Sequence, residues 1–141
     1  MTAISLTGFK ELEAELKRID KKASTSLGRK VIRKAANIVK DEIKQRVPIG
    51  ETGNLKRGLK VSVKKRRFGF ISKIGFDTSI AHHAYLVEFG HKIIFKNKKT
   101  GKKFYIGKDV PEHPFFTPAW DSKVDDAYKS IENSLREVLQ V

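Results

Sequence analysis

Residues 59–76 read LKVSVKKRRFGFISKIGF, and this stretch decides the fold class. Apolar and polar residues alternate through 59–64, which is the two-residue period of a half-buried strand. A basic corner follows at residues 65–67, and residues 68–76 are again rich in phenylalanine and isoleucine. The pattern predicts two antiparallel strands joined at the basic corner.

Helical patterns precede these strands. Apolar residues within 9–19 recur at spacings of three and four, which predicts a short amphipathic helix. A longer helix is predicted to begin after Ser24 or Ser26 and to continue through Ile43. Pro48 should end it, because proline lacks the N–H that a helix interior requires.

The chain after residue 76 predicts a second hairpin and a last helix. Residues 81–89 fit a short helix, and residues 92–95 and 103–106 fit strands that flank a turn. Thr117 is a suitable N-cap for a final helix, with Pro118 at its first position. Residues 50–58 contain three glycines and are predicted to form a loop.

The order of these patterns is helices, strands, helix. We predict a single α+β domain over residues 1–141. In it, two N-terminal helices and one C-terminal helix pack on an antiparallel sheet of about four strands. The N-terminal residues carry no pattern of a secretory signal, and no apolar run approaches the ~20 residues of a membrane span. We therefore expect synthesis in the cytoplasm and no membrane partner.

The sequence gives little support for an enzymatic function. The chain has no cysteine, which excludes disulfides, thiolate metal sites and cysteine nucleophiles. His82 and His83 are adjacent, whereas two metal ligands on one helical face lie four residues apart. Neither a Gly-x-Ser-x-Gly turn nor a phosphate-binding glycine loop is present. We predict no enzyme, no metal and no cofactor, and we rank a nuclease or toxin that uses the histidines and Glu88 as a distant third hypothesis.

The charge indicates a polyanionic or acidic partner. The chain carries 30 Lys and Arg against 16 Asp and Glu, a formal charge of +14. Residues 54–76 and 89–108 contain no acid, whereas the last helix is mildly acidic, a polarity that suits head-to-tail subunit contacts. If both hairpins point the same way, their tips form a positive edge that meets DNA phosphates without reading bases. The candidate DNA contacts are Lys64, Lys65, Arg66, Arg67, Lys98, Lys99, Lys102 and Lys103. Two other roles for these basic residues are open: they protect a solvated strand edge from aggregation, or they dock the protein to an acidic neighbour.

Three segments, in this order, carry a family resemblance: RVPIGETGNL at 46–55, AYLVEFG at 84–90 and PEHPFFTPA at 111–119. Together they resemble the tail-completion or neck protein family of siphophages, over about residues 24–139. The shared residues look structural: they can fix turns, fill the core or accept backbone hydrogen bonds. They are Pro48, Thr52, Gly53, Asn54, Leu55, Glu88, Phe89, Gly90, Pro114, Phe115 and Pro118.

The resemblance implies a structural virion protein without a cofactor. Such a protein forms a homo-oligomeric ring, by resemblance sixfold, at the head–tail junction or tail end of a phage or prophage. Its partners are further copies, neighbouring head-completion or tail-tube rings, and packaged DNA through nonspecific contacts. The alternative is a small basic DNA-binding protein that is not part of a particle. Within the motifs, Glu88 is expected to accept backbone N–H bonds or to pair with an arginine such as Arg57.

Overall fold

The computed structural model describes residues 3–5 and 21–139, with side chains from 25 to 138. The helix predicted within residues 9–19 lies outside the described residues. The strands are β1 (Ala3–Ser5), β2 (Leu59–Arg66), β3 (Gly69–Phe76), β4 (His91–Lys96) and β5 (Lys103–Val110). The helices are α1 (Lys21–Arg46), α2 (Asn54–Gly58), α3 (Thr78–Ala81), α4 (Ala84–Phe89) and α5 (Phe116–Leu139).

The predicted β2–β3 hairpin is confirmed. Its antiparallel register runs from Leu59 opposite Phe76 to Arg66 opposite Gly69, so the basic corner is the turn. β1 pairs with the other edge of β3, which gives the strand order β1-β3-β2. The apolar face of the hairpin, which includes the fully buried Ile74, packs against α1.

Helix α1 forms the centre of the core. It contacts α5 as well as β2 and β3, and its apolar stripe from Val31 to Ile43 is buried. The helix ends at Arg46, as Pro48 predicts. The predicted start after Ser24 or Ser26 is wrong, because residues 21–26 already lie in the helix. Lysine and alanine at residues 21–23 are good helix formers, which favours helix ahead of the two serines.

The single sheet of about four strands is wrong. β4 and β5 pair only with each other among the described strands and form a separate two-stranded sheet. The sequence explains the separation: Phe104, Tyr105 and Ile106 are consecutive, so β5 has no single apolar face to place on the core.

The helix layout also differs from the prediction. Between α1 and α5 lie three short helices, and α2 occupies part of the segment that was predicted as a loop. Only Gly53 adopts the left-handed conformation there, with φ 60°, and α2 begins directly after it. The single helix predicted over residues 81–89 is interrupted at residues 82–83: α3 ends at Ala81, and α4 covers residues 84–89. None of the described helices combines the length and the apolarity that crossing a membrane requires.

Candidate assembly site and basic surface

The second and third motifs meet at one side chain, Glu88. It lies on α4 and is 5% exposed. Its Oε2 accepts the N–H groups of Phe115 and Phe116 at 2.8 and 2.9 Å. Its Oε1 accepts the N–H and the hydroxyl of Thr117 at 3.0 and 2.9 Å. One carboxylate therefore holds the start of α5.

These bonds complete the N-terminus of α5. The first N–H groups of a helix have no partner within the helix. At α5 the N–H groups of residues 115–117 all point to Glu88, and the next residue, Pro118, has no N–H. The prediction that Thr117 caps the helix is wrong: α5 begins at Phe116, and the capping group comes from another helix. Pro118 was a signal for the helix start, but no local signal identified the distant acid.

The Glu88 carboxylate is held in its charged form. Burial alone would raise its pKa, because desolvation penalises the charge. The three N–H donors and the Thr117 hydroxyl outweigh burial, so the pKa of Glu88 lies below its ordinary value. Of the two partners expected for Glu88, backbone N–H groups are the ones observed. Arg57 instead donates to the side-chain oxygen of Asn54.

Two further contacts fix the same junction. The N–H of His113 donates to the carbonyl oxygen of Val87 at 2.9 Å. Gly90 has φ 68°, and a Cβ at this position would lie 2.5 Å from the carbonyl oxygen of Val110. Phe115 is buried and meets Phe76 edge-on, with ring centroids 5.8 Å apart. We call this set of contacts between residues 87–90 and 110–117 the Glu88 joint.

The first motif forms a separate turn. The Gly53 N–H donates to the carbonyl oxygen of Gly50 at 3.1 Å, and Leu55 is buried in the core. Thr52 is exposed, and the side-chain oxygen of Asn54 accepts a hydrogen bond from Arg57. The motif reaches the rest of the fold through α2, which packs against α3.

Three residues of the motif region face outward. Pro114 is exposed, and Phe89, the neighbour of Glu88, is 57% exposed. Its ring lies against exposed Tyr85, with centroids 4.8 Å apart. An aromatic pair at the surface adds nothing to the core of the single chain, so these side chains are available to a partner.

The candidate DNA contacts occupy two hairpin tips. The group at residues 64–67 ends β2, and the group at 98–103 surrounds the turn between β4 and β5. All eight cations are exposed, and the ion pairs of the described side chains involve none of them. Lys65 donates to the Thr25 hydroxyl at 3.0 Å, and the Arg67 guanidinium lies 5.2 Å from the ring centroid of Phe68. The tips belong to different sheets, and a common positive edge stays a prediction.

The structure adds a basic cleft that sequence reasoning missed. Lys40 and Lys44 of α1 and Lys56 and Arg57 of α2 line an open depression of about 520 Å³. Their spacing of four residues on α1 places the two lysines on one side of that helix. The sequence contains no signal that α2 places Lys56 and Arg57 beside these two lysines.

The histidines are dispersed. His82 and His83 lie edge-on with ring centroids 5.3 Å apart, and His91 and His113 are exposed. Within the part of the chain that the structure describes, no three potential metal ligands come together.

The comparison with known families agrees with the motifs. The family model described as "Bacteriophage HK97-gp10, putative tail-component" matches residues 10–90, more than half of the chain. No curated protein and no solved structure matches. The matched residues include the first two motifs, and the third motif, residues 111–119, lies beyond them. The predicted kinship with phage tail components is confirmed, and the chain belongs to the HK97-gp10-like family of bacteriophage tail components.

Proposed function

We propose that the protein is a non-enzymatic subunit of the phage particle that assembles with further copies into a ring at the head–tail junction or the tail end. As a member of a tail-component family it is part of the virion. The sixfold symmetry and the place in the neck or tail are implied by the motif resemblance. Neighbouring head-completion or tail-tube rings are its proposed partners.

The Glu88 joint carries this proposal. A buried carboxylate is the usual first candidate for a catalytic acid or base. Here both oxygens already accept two bonds each, so neither has a free site that faces a substrate. The motif that is most suggestive of chemistry instead fixes the backbone, which is the task of a subunit that must present rigid surfaces to its neighbours.

The basic surfaces support contact with packaged DNA. The two tips and the α1–α2 cleft carry exposed cations, and such side chains bind phosphates through counterion release without reading sequence. A subunit that surrounds the DNA passage would make many weak contacts of this kind. The same cations would also fit an acidic face of an adjacent ring.

Deletion of the gene in its phage tests the proposal. We expect filled heads and separate tails, or heads with defective junctions, in electron micrographs of the lysate. Complementation with the wild-type chain should restore joined, infectious particles. Normal infectious particles without the protein would refute the proposal and favour the alternative, a DNA-binding protein that is not part of the particle.

A further inference from the structure

The β4–β5 hairpin has no core of its own. Phe95, Phe104 and Ile106 are each more than half exposed and lie on one face, since Phe95 is opposite Phe104 in the register. Ile94 and Tyr105 are opposite each other on the other face and are also more than half exposed. No residue of either strand is buried. A two-stranded hairpin of this kind is marginally stable in water.

Helix α4, which directly precedes β4 in the chain, carries further exposed aromatic side chains. Tyr85 and Phe89 precede β4 directly and are 69% and 57% exposed. Single apolar side chains at a surface are ordinary, but five large exposed ones on α4 and the hairpin that adjoins it in the chain favour an interaction surface. We call Tyr85, Phe89, Phe95, Phe104 and Ile106 the arm surface.

We propose that the arm surface packs on a second copy of this chain, against the exposed side of α5. This inference rests on the proposed ring and names its contact. On α5, Asp121, Asp125, Tyr128 and Glu132 follow one another at spacings of four, three and four, which places them on one side of the helix. All four are exposed, and we call them the acidic flank.

The charge distribution favours α5 of a second copy as the partner of the arm surface. Residues 91–110 carry seven lysines and one acid, Asp109, whereas α5 carries five acids against three bases. The other long helix, α1, has nine bases and two acids and would repel the arm. Glu132 is paired with Arg136, but Asp121 and Asp125 have no ion-pair partner among the described side chains. Tyr128, 44% exposed, gives the flank an apolar centre for the phenylalanines.

The same charge argues against two arms pairing edge to edge. Two such hairpins would bring fourteen lysines together, because each copy contributes its seven. A contact between two different patches is instead heterologous, so each copy offers one arm and one flank. Repetition of that contact produces a ring when the rotation between copies closes.

Engineered cysteines test the contact, because the chain has no cysteine. Purified Phe104→Cys and Tyr128→Cys proteins are mixed at high concentration and oxidised, and particles isolated from phage-producing cells that co-express the same two variants are oxidised in the same way. We expect a disulfide between the two variants in both settings. A matched control pairs Tyr128→Cys with Phe68→Cys, since Phe68 is at least as exposed as Phe104 but lies on the other hairpin. Equal cross-linking in the control, or none in the arm pair, would overturn the proposal.

Charge reversal gives a second readout. Lys98→Glu with Lys99→Glu should weaken self-association by about tenfold or more in sedimentation experiments. The double variant Asp121→Lys and Asp125→Lys should also weaken self-association by itself. Mixed with the Lys98→Glu and Lys99→Glu variant, it should restore association, because the opposite charges are again paired. Circular dichroism checks that each variant is folded.

The outcomes separate this inference from the proposed function. Variants that self-associate like wild type but fail to complement the phage deletion would overturn the self-contact and assign the arm to a neighbouring ring protein. A wild-type chain that neither self-associates nor cross-links would also overturn it. The deletion phenotype decides the proposed function independently of both.

Discussion

Replacing Glu88 with glutamine tests the joint most directly. The variant keeps the size of the side chain but removes the charge and turns one acceptor oxygen into an amide group. Either the two bonds at Oε2 or the two at Oε1 lose their acceptor. Hydrogen bonds to a charged group contribute about 1.5–3 kcal/mol each, and a carboxylate at a partly buried helix N-terminus contributes up to about 2 kcal/mol. These contributions overlap, so we expect a loss of about 2–3 kcal/mol.

Urea unfolding measures this loss. Trp120 is the single tryptophan of the chain and lies on α5, one turn beyond the joint, so its fluorescence reports on the affected helix. A fall of about 2–3 kcal/mol corresponds to a decrease of about 10 °C in the melting temperature for a domain of this size. Glu88→Ala should cost about 4 kcal/mol or more, because it leaves three N–H groups without an acceptor.

The pH dependence of stability shows whether the charge of Glu88, and not only its size, stabilises the fold. The pKa of Glu88 is lower in the folded chain, so its stabilisation is complete above its ordinary value of 4.5 and is lost as the pH falls toward the folded pKa. The stability difference between wild type and Glu88→Gln should therefore be constant near neutral pH and shrink below about pH 4.5. Glu112→Gln, at an exposed acid of the same segment, is the control and should change stability by less than about 0.5 kcal/mol. A Glu88→Gln variant as stable as that control would refute the reasoning.

Three further predictions concern other parts of the fold. Gly90→Ala should destabilise by about 1–3 kcal/mol in the same urea assay, because it combines a positive φ with a close contact to Val110; an unchanged midpoint would contradict this. Ser72→Ala should leave stability unchanged or raise it slightly, since the buried Ser72 hydroxyl has no hydrogen-bond partner among the described residues; a loss above about 1 kcal/mol would reveal one. Replacing all four basic residues at 64–67 with alanine should weaken DNA binding and flatten its salt dependence, as measured by fluorescence anisotropy with duplex DNA, whereas single replacements should have little effect. Wild-type protein without measurable DNA affinity at low salt would contradict the channel assignment.

Local patterns predicted the elements whose partners lie close in sequence. The β2–β3 hairpin followed from the alternation in 59–64 and the basic corner, and the end of α1 followed from Pro48. These features depend on backbone chemistry within a few residues. The class α+β followed from their order.

The site was harder to predict because it joins distant residues. Glu88 caps a helix that begins 28 residues later, so the local rule chose Thr117 instead. The basic cleft depends on how α2 folds back beside α1, which no spacing along the chain encodes. The second hairpin was predicted, but its separation from the first sheet was not, since apolar residues on both faces of its strands are equally typical of a buried strand.

The position of the Glu88 joint makes the arm a separable module. In the Glu88 joint, residues 87–90 contact residues 110–117. The β4–β5 hairpin lies between these two segments, so both of its ends are held in place. The hairpin is therefore attached to the rest of the protein at the same two points, whatever its length or sequence. Evolution could lengthen, recharge or replace the hairpin without repacking the core. An arm exchanged between two related phages at residues 91 and 110 should carry its choice of neighbour with it.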